Sequence, residues 1–236
     1  MFDSLDRVRR PWLALALLVP APTIGALMAL WLAPGPVGQG VYGFAKAWLL
    51  GLPLVWTLFI DRRPLLGQVR SARRSWRDGL GVGVTLGIAI SIIIIAAFEM
   101  LRGVVGIDGT ELKKVATAAG FGTPTTYILF GAYLALVNSL LEEYVWRWFV
   151  FRACASVMPA WLGVIVSGLC FTAHHVVVLA AYFPASITAL GSLGVFIGGC
   201  TWSWCYLRYR SVWPGYVSHI LVDVAILYIG WRLLFH

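Results

Sequence analysis

The sequence predicts an all-α polytopic membrane protein, a transmembrane helical bundle of about seven helices in a single domain, 1–236. Of its 236 residues, 60% are hydrophobic and only 12% are charged, whereas average soluble domains carry about 25% charged residues. Seven mainly apolar runs come close to the ~20 residues that are needed to cross ~30 Å of hydrocarbon. They are 11–33, 41–60, 80–101, 125–147, 157–180, 187–207 and 212–235. A re-entrant or split helix within 102–124 would raise the count to eight.

The basic residues are distributed asymmetrically between the two sides of this arrangement. With the N-terminus in the cytoplasm, 13 of the 18 lysines and arginines fall in inner segments and four in outer ones. Cytoplasmic loops are enriched in these residues, so the pattern predicts a multi-pass protein of the cell (inner or plasma) membrane with a cytoplasmic N-terminus. Six of the inner arginines lie in 61–79, which is predicted to be a loop against anionic lipid headgroups. Since the arginines flank membrane spans and do not form one basic face, no nucleic-acid partner is predicted.

The two halves of the chain differ in what their spans contain. The segment 1–124 holds the N-terminal helices, the basic cytoplasmic loop and an outer loop (102–124) with a short interfacial helix. The segment 125–236 holds nearly all the ionisable residues within spans. The cysteines lack metal-ligand spacing and are predicted to be small core residues. They are Cys154, Cys170, Cys200 and Cys205.

Ionisable residues inside spans are energetically costly and are therefore functional candidates by default. Two of them occur in early spans, Lys46 and Glu99, and both lie near enough to a span end to be predicted to snorkel. The others all occur from the fourth span onward. They are Glu142, Glu143, Arg147, His174, His175, His219 and Asp223.

The stretch LLEEYVWRWFVF, 140–151, contains two adjacent acids in an apolar and aromatic setting. Glu143 and Arg147 are four residues apart, so they face each other on a helix and are predicted to form a structural ion pair. Glu142 is rotated by about 100° from Glu143 and has no basic residue three or four positions later. It therefore needs a partner from another helix. Its position near the cytoplasmic end of the predicted span places the site toward the inner leaflet.

Two later spans supply histidines. In GLCFTAHHVVVLA, 168–180, Phe171 and His175 share a helix face, and His174 lies one step round. A lone histidine on an apolar helix is more often a hydrogen-bonded core residue, but two in mid-span weaken that interpretation. In the seventh span His219 and Asp223 are four residues apart, so the acid can orient the imidazole. The alternative is a structural role, in which the two side chains only satisfy each other as hydrogen-bond partners inside the bundle.

Three helices can thus bring Glu142, His175, His219 and Asp223 to one point. A carboxylate and two imidazoles can activate water for hydrolysis, and an imidazole N–H can stabilise the developing oxyanion. The same four residues are also a competent zinc site, and spacing does not choose between these chemistries. No HExxH motif occurs, so no cofactor is favoured; if zinc were present, these four residues would hold it.

The motifs are similar to those of a known family. EEYVWR (142–147) fits EExxxR, FTAHH (171–175) fits FxxxH, and HILVD (219–223) fits HxxxN/D. Together and in this order they resemble the CPBP family of intramembrane proteases, also called the Abi or type II CAAX prenyl endopeptidase family, over about 125–235. The resemblance implies a helical bundle that cleaves substrates near the membrane, in the CAAX case removing a tripeptide after a prenylated cysteine.

The resemblance also implies roles for individual residues. Glu142 takes the role of the water-activating glutamate and His175 assists it, while His219 and Asp223 stabilise the oxyanion. Glu143, Arg147 and Phe171 support the site, and His174 is a secondary candidate. Members have been described both as metalloproteases and as glutamate-dependent enzymes; the glutamate mechanism is favoured here.

The sequence departs from the family pattern in two respects. Asp223 stands where CAAX proteases typically have Asn, which makes a metal or an Asp223–His219 orienting pair more plausible. Family cores usually have eight helices, and seven are counted here. The arginine- and tryptophan-rich sequence looks bacterial, so the expected partner is a membrane-embedded or lipidated protein or peptide substrate, with prenylation left open.

Three other functions fit the same residues. One is a zinc-dependent version of the protease, and another is a catalytically silent scaffold or immunity protein of the same fold. A third is a proton-coupled transporter, since carboxylates and histidines also form proton relays. Transporters usually show polar or broken helices in both of two repeated halves. The polar residues of this chain lie almost entirely in its C-terminal half, which counts against a transporter.

Overall fold

The computed structural model describes residues 7–63, 65–105 and 109–236, with only the backbone described for 65–78 and for 104, 105, 110 and 111. Within these residues the chain forms eight helices and no strand. The helices are α1 (Pro11–Leu32), α2 (Pro36–Ile60), α3 (Leu65–Val105), α4 (Gly109–Ala118), α5 (Pro124–Ala155), α6 (Ala160–Tyr182), α7 (Ala185–Tyr209) and α8 (Trp213–Phe235).

Seven of the helices in the described part of the chain are long and apolar enough to span a membrane. The all-α fold class and the count of seven spans are confirmed, and the chain is a multi-pass membrane protein. The fourth span differs from its prediction because α5 runs for 32 residues, to Ala155. Glu142 therefore lies 13 residues before the end of α5, about 20 Å along the helix axis. It is deeper in its span than predicted.

The basic segment 61–79 is not a loop for most of its length. Helix α3 begins at Leu65 and continues for 41 residues, so this segment extends the third span. Leucine and arginine, which recur here, both have high intrinsic helix propensity. That its arginines contact lipid headgroups stays a prediction, and four of the six, at positions 70, 73, 74 and 77, have side chains outside the described part of the structure.

The outer segment between the third and fourth spans contains the short helix that the sequence predicts. Helix α4 packs against α8, and Ala116 from α4 joins Tyr127 of α5 and Leu234 of α8 in a small buried cluster. The Tyr127 hydroxyl donates to the Leu227 carbonyl over 2.9 Å. These contacts join α4 and the start of α5 to the C-terminal half of α8.

Helices α3 and α8 approach each other closely along a glycine stripe. Gly79, Gly83 and Gly87 are spaced by four and share one face of α3. A Cβ on Gly83 would lie 2.4 Å from the carbonyl oxygen of Pro214, and one on Gly87 would lie 3.0 Å from the Cα of Ser218. Small residues at such positions let transmembrane helices pack backbone to backbone. The stripe thereby fixes the position of α8, which carries two of the candidate site residues.

Helix α5 lies at the centre of the bundle and contacts α2, α6, α7 and α8. Trp146, Phe149 and Phe151 are almost completely buried on it. It includes π-helical turns at Tyr133–Asn138 and Glu143–Phe151. Such turns are rare and occur frequently at functional sites. The two glutamates therefore lie on an irregular and deeply buried part of the central helix.

The residues before α1 form hydrogen bonds with several helix ends on one side of the bundle. The Arg9 backbone N–H donates to the Asp61 carboxylate over 2.8 Å, and the Val8 N–H donates to Ser156 Oγ over 3.0 Å. The Trp56 indole N–H donates to the Arg9 carbonyl over 3.0 Å. The N-terminal segment, the end of α2 and the α5–α6 connection therefore share one side, as alternating spans require.

Candidate active site

The predicted pair of Glu143 and Arg147 forms inside the bundle. Both side chains are fully buried, and Arg147 Nε lies 3.3 Å from Glu143 Oε1. The guanidinium also lies between two aromatic rings, 4.4 Å from the centroid of Phe171 and 5.0 Å from that of Trp202. Opposite charge and cation–π contacts both offset the cost of burying the arginine. Phe171 thus has a direct structural role in the site.

The second oxygen of Glu143 approaches the backbone of α8. A Cβ on Gly215 would lie 2.5 Å from Glu143 Oε2. Any side chain at position 215 would therefore displace the carboxylate or push α8 away from α5. Gly215 allows the close contact that brings Glu143 within reach of the next turn of α8.

Glu142 points in a different direction from Glu143, as the helix geometry predicts. Its Oε1 accepts a hydrogen bond from the Asn138 side-chain amide over 2.9 Å, and its Oε2 lies 3.6 Å from His219 Nε2. The interhelical partner that the sequence predicts is therefore present. Asn138, four residues earlier on the same helix, is a second partner that was not predicted, because its side chain is polar but uncharged.

His175 is held by its own helix in one orientation. Its Nδ1 lies 2.9 Å from the Phe171 carbonyl oxygen, and because a carbonyl only accepts, Nδ1 carries the hydrogen of this bond. In neutral His175 the lone pair is then on Nε2. Each of Glu142, His174 and His175 offers one ligand atom, and these three atoms lie within 4.8 Å of one another.

His174 also belongs to the cluster and is oriented by stacking. Its ring is nearly parallel to the Trp146 indole, at 8° and a centroid distance of 5.4 Å. Its Nδ1 is buried with no hydrogen-bond partner among the described residues. Among the described residues, Glu142 and both histidines of α6 form a group that could hold a metal ion. The set predicted from the sequence, Glu142, His175, His219 and Asp223, stays a prediction.

His219 lies between the acids of α5 and the acid on its own helix. Its Nδ1 is 3.1 Å from Glu143 Oε1, and its Nε2 is 3.6 Å from Glu142 Oε2 and 3.8 Å from Asp223 Oδ1. The ring stacks on the Trp202 indole with centroids 3.8 Å apart. One nitrogen is therefore bound to Glu143, and the other faces the space between Glu142 and Asp223.

Asp223 is anchored to α5 through a serine. Its Oδ2 lies 2.5 Å from Ser139 Oγ, which is also 2.9 Å from the Leu134 carbonyl oxygen. Ser139 precedes Glu142 by three residues and therefore lies on the same side of α5. The sequence pattern gave no weight to this serine, because small hydroxyl residues are common in transmembrane helices.

The prediction that Lys46 snorkels to a span end is wrong. Its Nζ lies 3.3 Å from Asn138 Oδ1, so the side chain points into the bundle and does not snorkel to a span end. Glu99, the other ionisable residue of the early spans, pairs with Arg102 at 3.2 Å and with Arg232 of α8, away from the site. The site thus extends to Lys46, in the N-terminal half of the chain.

Comparison with known proteins gives one match. The family model described as Type II CAAX prenyl endopeptidase Rce1-like matches residues 123–225. This segment covers α5 to the middle of α8 and contains all three motifs, while α1 to α4 lie outside it. No curated protein and no solved structure matches the chain significantly.

Proposed function

Residues 123–225 belong to the Rce1-like type II CAAX prenyl endopeptidase family, and from this premise we propose that the chain is an intramembrane endopeptidase in which Glu142 activates water. The observation that carries the proposal is the convergence of three helices on one carboxylate. Glu142 on α5 lies with His174 and His175 of α6 on one side and with His219 of α8 on the other. A carboxylate flanked by imidazoles inside a bundle has the groups that hydrolysis of a peptide bond requires.

The two oxygens of Glu142 are distinguished by their partners. Because Asn138 donates to Oε1, Oε2 is the oxygen left to accept a proton from water. The Nε2 lone pair of His175 accepts the second hydrogen of the same water and so orients it. The water oxygen then bonds to the carbonyl carbon of the substrate, and the carbonyl π electrons move to its oxygen.

His219 is placed to stabilise the negative charge that forms on that oxygen. Its Nδ1–H donates to the Glu143 carboxylate, which can only accept. The proposal therefore takes His219 as an imidazolium among the surrounding acids, so that its second hydrogen, on Nε2, is directed into the space beside Glu142 and Asp223. A preorganised donor at a developing oxyanion is worth about 2.7–4 kcal/mol in other hydrolases. Asp223 and Ser139 fix the position of His219, and Glu142 returns its proton to the leaving nitrogen as the C–N bond breaks.

The residues present also fit a zinc ion. Glu142, His174 and His175 would hold it, since two imidazoles and one carboxylate form a frequent zinc donor set. The bond from His175 Nδ1–H to the Phe171 carbonyl is the kind of outer contact that orients metal-bound histidines. When bound, zinc supplies a water of pKa near 7 as the nucleophile. The glutamate mechanism stays the favoured proposal.

The proposed substrate is a membrane-associated or lipid-modified protein or peptide. The family implies a CAAX sequence with a prenylated cysteine, and the buried site within helices implies access from the bilayer. The cytoplasmic location of the N-terminus, inferred from the arginine distribution, places the α5–α6 connection on the cytoplasmic side.

The test is cleavage by the purified full chain in liposomes. The probe is a farnesylated CAAX peptide with a fluorophore and a quencher on either side of the scissile bond, tested beside the same peptide without the farnesyl group. Glu142→Gln is expected to lower the rate by roughly 10²–10⁴-fold, the range for loss of a general base. Glu99→Gln is the matched control, because Glu99 lies in α3 and pairs with Arg102 and Arg232.

The outcomes separate the competing functions. Cleavage by Glu142→Gln at the wild-type rate would exclude the glutamate mechanism. Loss of activity in a strong chelator, with recovery on adding zinc, would favour the metal version. A folded wild-type protein that cleaves neither these probes nor any membrane protein in peptide maps of cells expressing it would favour the silent scaffold.

A further inference from the structure

We propose that Lys46 and Asn138 are positioning residues for Glu142, so that the site extends into the N-terminal half of the chain. The inference rests on the proposed function for its catalytic consequence. Lys46 lies on α2, outside the segment that matches the family model. It reaches the site through the side-chain amide of Asn138.

The orientation of the Asn138 amide follows from its two partners. A lysine ammonium can only donate, so the group 3.3 Å from Lys46 Nζ is the amide oxygen. The NH2 group is then directed at Glu142 Oε1, over 2.9 Å. A carboxylate only accepts, so both contacts agree on one amide orientation. Lys46 therefore ensures that Asn138 presents a donor to Glu142.

The charges of the cluster give Lys46 a second role. In the described part of the chain the cluster contains three acids, Glu142, Glu143 and Asp223. Arg147 pairs with Glu143 in a fully buried contact, His219 is taken as an imidazolium in the proposed function, and Lys46 adds a further positive charge on the Glu142 side. Its side chain also lies over the Tyr42 ring, with Nζ 5.6 Å from the centroid. Burial of an acid is less costly when an opposite charge is close.

The hydrogen bond to Oε1 also has a consequence for the reaction. It prevents rotation of the Glu142 carboxylate and leaves Oε2 facing His219. Without the amide donor the carboxylate can turn, and either oxygen can face the substrate water. Loss of Lys46 or Asn138 should therefore lower kcat. KM should stay within about twofold of the wild-type value, because it reports substrate binding outside this contact.

A thermal double-mutant cycle on the purified full chain in detergent tests the contact without any substrate. Lys46→Met is expected to lower Tm by roughly 2–4 °C in the wild-type background, because it removes a positive charge near Glu142 and the donor that holds the Asn138 amide. In the Glu142→Gln background the same substitution is expected to cost much less. Additive effects of the two substitutions would overturn the proposal. Lys113→Met, at an exposed position of α4, is the matched control that also removes a lysine, and it should leave Tm unchanged.

Kinetics with the farnesylated CAAX probe test the catalytic consequence. Lys46→Met and Asn138→Leu are each expected to lower kcat at least tenfold, whereas Lys46→Arg should keep most of the activity because it restores a donor. Equal kcat in Lys46→Met and Lys113→Met would overturn the positioning role. If Glu142→Gln cleaves like the wild type, the proposed function fails, and the thermal cycle still decides whether Lys46 holds Glu142.

Discussion

The imidazole of His219 stacks on the indole of Trp202, with ring centroids 3.8 Å apart and planes inclined by 18°. Trp202 is buried on α7, and its Nε1–H donates to Ser218 Oγ over 3.1 Å. The same indole lies 5.0 Å from the Arg147 guanidinium. One aromatic side chain outside the three motifs therefore contacts both the histidine on α8 and the arginine on α5.

We expect Trp202→Leu to impair both stability and activity. The substitution removes the stacking surface of His219 and leaves a cavity, which should cost roughly 2–4 kcal/mol in free energy of unfolding. His219 would then lose one of the contacts that fix its orientation, and the rate of cleavage should fall at least tenfold. Thermal melting in detergent and the CAAX peptide assay measure the two effects.

Trp202→Phe is the matched control for this prediction. It keeps an aromatic face for His219 but removes the indole N–H, so Ser218 loses its donor. Its activity should exceed that of Trp202→Leu. Equal activities in the two variants would show that stacking does not position His219.

The buried pair of Glu143 and Arg147 should show strong coupling in stability. Removing one partner leaves an uncompensated buried charge, which costs about 3–5 kcal/mol. We therefore expect Glu143→Gln and Arg147→Met to lower Tm more when made singly than the double variant lowers it. Thermal melting of the four proteins in detergent measures this coupling.

The pair of Glu99 and Arg102 provides a control for this double-mutant cycle. That pair is also separated by one helical turn, at 3.2 Å, but its side chains are 35% and 51% exposed. Exposed pairs contribute about 0–1 kcal/mol, so its single variants should cost little. If the two cycles gave equal coupling energies, burial would not be the source of the Glu143–Arg147 contribution.

Periodicity and motif spacing were sufficient to predict the seven spans, the Glu143–Arg147 pair and the separation of Glu142 from Glu143. These features depend on apolar run length and on residues four apart, which a helix places together whatever the tertiary packing. The convergence of Glu142 with His175 and His219 was predicted from the cost of burying ionisable residues within spans, and the family resemblance then implied their roles.

Other features depend on tertiary packing and could not be predicted in this way. Lys46 looks like a snorkelling lysine because distance from a span end does not show which face of α2 meets α5. Trp202 and Ser139 could not be singled out from the sequence, because aromatic and small residues are common in the spans of this chain. The length of α5 was underestimated because Arg147 and Arg152, both buried, resemble the polar residues that usually end a span.

Gly215 should be intolerant of any side chain. A Cβ at this position would lie 2.5 Å from Glu143 Oε2 and 3.4 Å from Trp202 Cβ. We expect Gly215→Ala to lower cleavage at least tenfold and to lower Tm, because α8 must move away from α5 and carry His219 with it. The CAAX peptide assay and thermal melting measure both changes.

Gly81→Ala is the control for the added methyl group. Gly81 lies on α3 with nothing within 4 Å of an added Cβ, and alanine is favoured over glycine in a helix by about 1 kcal/mol. This variant should keep full activity and have an equal or higher Tm. Wild-type activity in Gly215→Ala would show that the close contact of α5 and α8 is not needed for the site.

Asp223 should be replaceable by asparagine but not by leucine. Asparagine has the same shape, can still hydrogen bond to Ser139 Oγ, which lies 2.5 Å from Asp223 Oδ2, and is the residue that CAAX proteases typically have here. We expect Asp223→Asn to cleave the CAAX peptide within about fivefold of the wild-type rate, the cost of one modest hydrogen-bond change of about 1 kcal/mol. Asp223→Leu should lower the rate at least a hundredfold, since Ser139 and His219 both lose a partner. If Asp223→Asn were as inactive as Asp223→Leu, the carboxylate charge itself would be required, and an ionised Asp223 acting on His219 would replace simple positioning.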